Sequence, residues 1–248
     1  MSAGDVPQAV NVSLPDRQGG VPNDPQVTDN IKFMNPDSRF FPCGRETEGV
    51  ETGALTVLGA GIIGYLLGSI PFGLLLTRLA GLGDIRQTGS GSIGATNVLR
   101  TGSKGAAALT LLLDLAKGWT AVVIGQSWGE NAALVAAGCV IIGHAFPIWL
   151  GFRGGKAVAT ALGVAMALAW PVALGAALVW LATALLLRYS SLAALVAAVA
   201  GAVLASFIAD RATAAVITGI ALLIILRHHA NIRRLIAGTE SRISLSKG

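Results

Sequence analysis

Beyond residue 52 the chain alternates long apolar runs with short, glycine-rich polar breaks. The runs cover 54–80, 106–124, 132–150, 158–187, 192–208 and 214–226. A helix needs about 20 residues to cross the hydrocarbon core of a bilayer, and fewer where flanking side chains snorkel. The pattern therefore predicts an all-α, polytopic membrane protein. Run 158–187 is ambiguous, because Trp170-Pro171 near its middle allows either one crossing or two short ones.

Charge decides between them. Basic residues gather at Arg78, Arg86, Arg100 and Lys104, at Arg153 and Lys156, at Arg188, and from Arg227 to Lys247. The intervening turns differ: 126–131 holds only Glu130, and 210–213 pairs Asp210 with Arg211. Cytoplasmic loops collect Lys and Arg. All four basic clusters share one side only if 158–187 crosses twice. That predicts about seven spans, with an exported N-terminus, a cytoplasmic C-terminus and the functional loops on the cytoplasmic side.

Composition agrees. Apolar residues make up 53% of the chain and charged residues 12%, about half the usual charged fraction of a soluble domain. Residues 1–52 are rich in Asp, Asn, Pro and Gly and predict a flexible polar tail without the basic-then-apolar order of a signal peptide. They precede a membrane domain expected over 53–248. That body carries 14 basic against 5 acidic groups, which points to anionic partners. Cys43 and Cys139 make no disulfide framework, and no metal-ligand spacing such as CxxC or HExxH occurs.

The basic loops carry the candidate chemistry. In the first, Gly89, Gly91 and Gly94 free the backbone to approach a ligand, Ser90, Ser92, Thr96 and Asn97 add neutral donors, and Arg100 adds a forked cation suited to phosphate. The alternative for such a loop is small-residue packing between helices. In the second, Gly154-Gly155-Lys156 precedes a helix start, where unpaired N–H groups and a point charge favour phosphate. It is not a Walker A loop, because the GxxxxGK[ST] spacing is absent. Ser190 and Ser191 in the third suit a helix cap as readily as a ligand. In the fourth, one helical turn places His228 and Asn231 on one face. Asp114 and Lys117 inside the second run predict a structural ion pair, and leave open whether it also borders the site.

Several stretches, in order, resemble the bacterial acyl-phosphate:glycerol-3-phosphate acyltransferase family. They are GSIPFG at 68–73, SGSIGATNVLR at 90–100, GHAFPIWLGFRGGKAVAT at 143–160, RYSS at 188–191 and RHHANIRRL at 227–235. The likeness covers roughly 54–242. It implies transfer of a fatty acyl group from acyl phosphate to the 1-hydroxyl of glycerol 3-phosphate, giving lysophosphatidic acid and inorganic phosphate at the start of phospholipid synthesis. It also implies a multi-pass inner-membrane monomer with lipid neighbours, no cofactor, no metal and no nucleic-acid partner. Matched by motif, Ser90, Lys156, His228 and Asn231 would be catalytic. Gly91, Ser92, Thr96, Asn97, Arg100, Gly154, Gly155, Ser190 and Ser191 would bind substrate. The family usually has Asn where this chain has Ser92, and a third glycine where it has Ala157. If position 157 needs positive φ, alanine costs about 1 kcal/mol there.

The acyltransferase motif HxxxxD is absent, since five residues after His144, His228 and His229 come Trp149, Arg233 and Arg234. An activated acyl phosphate makes a protein base dispensable, because its own phosphate oxygen can take the hydroxyl proton. A transporter for a small organic anion is the competing function. It would favour repeats and broken helices at the midplane, and the sequence offers one break and no clear repeat.

Overall fold

The structure is a computed structural model, and it describes residues 50–243. Every regular element among them is helical. The elements are α1 (Val50–Ser69), α2 (Phe72–Leu79), α3 (Ala95–Leu99), α4 (Lys104–Gln126), α5 (Glu130–Ala145), α6 (Val158–Leu168), α7 (Trp170–Leu187), α8 (Ser190–Ile208), α9 (Arg211–Arg227) and α10 (His229–Ile236). The expected tail over 1–52 lies outside the described residues up to 49, and α1 begins at Val50. Cys43 is also outside, and Cys139 on α5 forms no disulfide among the described residues.

Five segments are long and apolar enough to cross a bilayer: Gly53–Leu79, Lys104–Gln126, Glu130–Leu150, Trp170–Leu187 and Ser190–Ile208. A sixth is α9 with α10, bent by 59° at His228. Large apolar side chains such as Leu58, Leu186, Phe207 and Leu226 are exposed on the helix exteriors, where lipid replaces water.

The expected seventh crossing is the shorter α6. Its 11 residues rise only about 16 Å, roughly half the hydrocarbon thickness. The break falls at Ala169 rather than at Pro171. Pro171 lacks an N–H and fits the first turn of α7, where no donor is needed. Even so, Lys156 before α6 and Ser191 at the start of α8 both face Glu240, so the segment leaves and returns to the same end.

Small residues let the helices touch backbone to backbone. A Cβ at Gly68 of α1 would overlap the Val140 carbonyl of α5, and one at Gly163 of α6 would overlap the Leu115 carbonyl of α4. Bilayer helices have little hydrophobic drive to associate, so this close approach supplies much of the packing energy. We expect Gly68→Ala to cost about 1–3 kcal/mol, read as a lower unfolding midpoint in detergent.

Candidate active site

All four basic loops meet at one cavity of about 300 Å³. Its mouth is lined by Ser90, Ser92, Thr96, Asn97 and Arg100, by Lys156, by Ser190 and Ser191, and by His228, Asn231, Glu240 and Ser241. Its trunk is apolar, with Leu162 and Val164 of α6, Trp180 of α7, Ala197 of α8 and Ile220 of α9. A charged mouth over an apolar trunk suits an amphiphile with a phosphate head.

Asn97 organises the first loop. Its Nδ2 donates to the carbonyls of Ile85 (3.0 Å), Thr88 (2.9 Å) and Ser92 (2.8 Å), and its Oδ1 accepts from Ser90 N–H at 3.1 Å. With its side chain buried and so committed, Asn97 shapes the loop that presents Ser90 and Ser92. Gly89 sits at φ +55, and a Cβ there would press on Asn97 Oδ1. Gly91 donates its N–H to the Thr88 carbonyl and borders a separate surface hollow, so its expected role as a substrate donor gives way to a turn role.

The glycine pair of the second loop also needs correction. Gly154 N–H bonds the Ala145 carbonyl (3.2 Å), and Gly155 N–H bonds the His144 carbonyl (3.0 Å). Their own carbonyls accept from Arg227, at 3.0 and 3.1 Å. Neither glycine has an N–H left for phosphate. Both are needed because the chain runs against His144, whose ring a Cβ at Gly155 would strike. The turn they make delivers Lys156 into the mouth.

Lys156 has no hydrogen bond or ion pair among the described residues. Burial pushes its ammonium down to about 8, Glu240 pulls it up, and Arg234, Arg100 and Arg227 push it down. Ala157 follows in the left-handed region (φ 59), buried against the α6 start. Glycine is unstrained there, so Ala157→Gly is expected to gain about 1 kcal/mol. The check is a rise in the thermal unfolding midpoint of roughly 2–4 °C.

Ser190 and Ser191 do not cap α8, whose N-cap is Tyr189 without a side-chain bond. Ser190 Oγ instead lies 3.1 Å from Thr96 Oγ1, joining the first and third loops. Ser191 Oγ donates to Glu240 at 2.9 Å. Glu240 also accepts from Asn231 Nδ2 (2.7 Å) and Arg234 Nε (2.6 Å). Burial alone raises its carboxyl, but the bonds from Asn231, Arg234 and Ser191 outweigh that and hold it below the usual carboxylate range. Asn231 therefore lines the mouth with its amide nitrogen held by Glu240.

Sequence reasoning did not assign Glu240 or Ser241 to the site. The available signal was a lone acid among arginines: Glu240 is the one carboxylate between Arg211 and the C-terminus. The chain reverses at Gly238 (φ +70), and 239–243 runs across the third loop, with Ile243 N–H on the Arg188 carbonyl at 2.7 Å. Arg100 donates to Ser241 Oγ. His228 is buried, and its Nδ1 lies 2.7 Å from the Ile224 carbonyl. A carbonyl only accepts, so Nδ1 carries the proton and a neutral ring keeps the Nε2 lone pair for a hydroxyl.

Cations are rationed here. Arg78 and Arg86 both bind Asp84, Arg227 holds the glycine turn, and Arg234 holds Glu240. Among the described residues, Arg100 and Lys156 are the two cations that line the cavity.

These features define an integral membrane protein with a basic mouth above an apolar cavity. Residues 58–238 match the family described as glycerol-3-phosphate acyltransferase. A glycerol-3-phosphate acyltransferase of Cereibacter sphaeroides strain ATCC 17025 is 55% identical over 195 residues, 78% of this chain and 93% of that protein. One of Brucella suis biovar 1 is 56% identical over 187 residues, 75% of this chain and 93% of that protein. Crystal structures of PlsY, an integral membrane glycerol 3-phosphate acyltransferase, superpose on 76% of this chain and 96% of theirs. The glycerol 3-phosphate form is 39% identical with a TM-score of 0.73, and the lysophosphatidic acid form is 38% identical with 0.71. The chain belongs to the glycerol-3-phosphate acyltransferase family.

Proposed function

We propose that the protein transfers a fatty acyl group from acyl phosphate to the 1-hydroxyl of glycerol 3-phosphate, giving lysophosphatidic acid and inorganic phosphate at the start of phospholipid synthesis. The observation that carries this reading is one cavity with a two-cation mouth, Arg100 and Lys156, above an apolar trunk. Two phosphates need the mouth, and one acyl chain fills the trunk. Relatives crystallised with glycerol 3-phosphate and lysophosphatidic acid support the acceptor and the product. The positive-inside pattern orients the mouth toward the cytoplasm of the bacterial inner membrane. The enzyme acts as a monomer with its described domain in lipid. The donor test compares palmitoyl phosphate with palmitoyl-coenzyme A in proteoliposomes. Lysophosphatidic acid is expected from the first alone, and synthesis from the thioester alone would refute the assignment.

The chemistry is positioning and charge stabilisation. The 1-hydroxyl oxygen attacks the acyl carbonyl carbon, the carbon–oxygen bond to phosphate breaks, and the hydroxyl proton leaves on the released phosphate. Ser90, Arg100 and Lys156 hold phosphate oxygens, and His228 Nε2 accepts from the glycerol hydroxyl to orient it. If His228 were instead the base, His228→Ala would lose activity steeply and recover nearly fully with imidazole. We expect weak rescue.

Lys156 sets the alkaline limb. Its folded value near 8 lies below the ordinary lysine range, so the cation is present below about pH 8 and lost above it. The ratio kcat/KM for glycerol 3-phosphate should therefore fall as pH rises through about 8, and Lys156→Arg should move that limb to higher pH.

A further inference from the structure

Lining the same cavity as Lys156 is a buried polar cluster that the reaction above does not use. Asp114 and Lys117 of α4 form an ion pair of 2.7 Å, both side chains at most 3% exposed. Lys117 Nζ also donates to the Ile70 carbonyl (2.8 Å), which accepts from Phe72 N–H as well, so its ammonium is anchored. Asp114 Oδ1 has that ion contact but no hydrogen bond, is buried, and lies 3.7 Å from His144 Nδ1. Both Asp114 and His144 line the cavity. His144 Nδ1 is 3.2 Å from Thr160 Oγ1 in the first turn of α6. The other edge of the ring presses on Gly155, and the His144 carbonyl binds Gly155 N–H.

The ring is thus wedged between a fixed carboxylate, the α6 start and the turn that carries Lys156. We propose that Asp114, His144 and Thr160 form a positioning relay that sets the height and direction of Lys156 in the mouth. An apolar core would hold α4, α5 and α6 together equally well, because a buried ion pair in lipid seldom stabilises more than packed apolar residues. What the polar groups add is one orientation of a flat ring whose edge determines where the Gly154-Gly155 turn ends. An error of about 1 Å in a reacting-group position can cost on the order of 10²-fold in rate. The inference rests on Lys156 acting at the phosphates.

The test is a coupling measurement in proteoliposomes. Thr160→Val removes one hydroxyl and is expected to fold normally while lowering kcat/KM roughly tenfold. The Asp114→Asn, Lys117→Met double substitution removes both charges together. It should keep an unfolding midpoint near wild type and lose roughly 10–100-fold in kcat/KM. In a Lys156→Met background, Thr160→Val should bring no further loss, because its effect runs through Lys156. A Thr160→Val enzyme with wild-type kcat/KM, or one whose loss multiplies fully with that of Lys156→Met, would overturn the proposal. So would full activity in the charge-free double variant. Full activity of Lys156→Met alone would instead remove the reading of Lys156, a separate outcome.

Discussion

Lys156→Met is expected to lower kcat/KM by about 10²–10³-fold while leaving the unfolding midpoint at or above that of the wild type. The size follows from losing a preorganised charge aimed at a phosphate in a water-poor site. The unchanged stability follows from the lysine's isolation: it has no internal hydrogen bond or ion pair among the described residues, and burial already disfavours its charge. Methionine keeps the unbranched stem and removes only the ammonium. Steady-state kinetics with detergent-purified protein, beside a thermal melt of the same samples, checks both halves. A large drop in the midpoint would mean that Lys156 holds the loop together, and the phosphate role would need another residue.

Glu240→Ala should show the opposite signature, losing stability and activity together. The carboxylate accepts from Ser191, Asn231 and Arg234, and removal strands two buried donors and leaves Arg234 without its partner. Stranded buried donors cost about 1–3 kcal/mol each, and the half-exposed Arg234 adds little because solvent screens it. A total loss of about 2–6 kcal/mol is expected, with a collapse of kcat as Ser191 and Asn231 lose their common anchor. Glu240→Gln keeps the shape and one acceptor oxygen, so it should fall between. Equal melts for wild type and Glu240→Ala would show that the C-terminal segment does not clamp the mouth.

Much of this arrangement was legible in the sequence because charge marks the ends of membrane helices. Arg153 with Lys156 and Arg188 fixed the parity of 158–187, and both ends of that segment do border one cavity. Trp170-Pro171 made the division of 158–187 into two short helices legible, whereas the break at Ala169 and the 11-residue length of α6 were not. The resemblance flagged position 157, where the family usually has glycine, as a place where a positive φ would cost, and Ala157 does lie at φ 59. Glycine N–H groups were misread. Nothing in Gly-Gly-Lys reveals that the carbonyls of His144 and Ala145 already take both donors. Asn97 was misjudged for the same reason: an amide in a polar loop looks like a ligand until its partners, up to twelve residues away, are known. Glu240 was visible as a lone acid, but its role depends on a chain reversal at Gly238 that spacing alone does not encode.

The most direct measurement of the central claim is phosphate release by the wild-type protein in proteoliposomes supplied with palmitoyl phosphate, with and without glycerol 3-phosphate. Release that depends on the acceptor and matches lysophosphatidic acid formation one for one is the predicted result. Passage of glycerol 3-phosphate across the membrane with no acceptor-dependent release would contradict acyl transfer and favour a transporter.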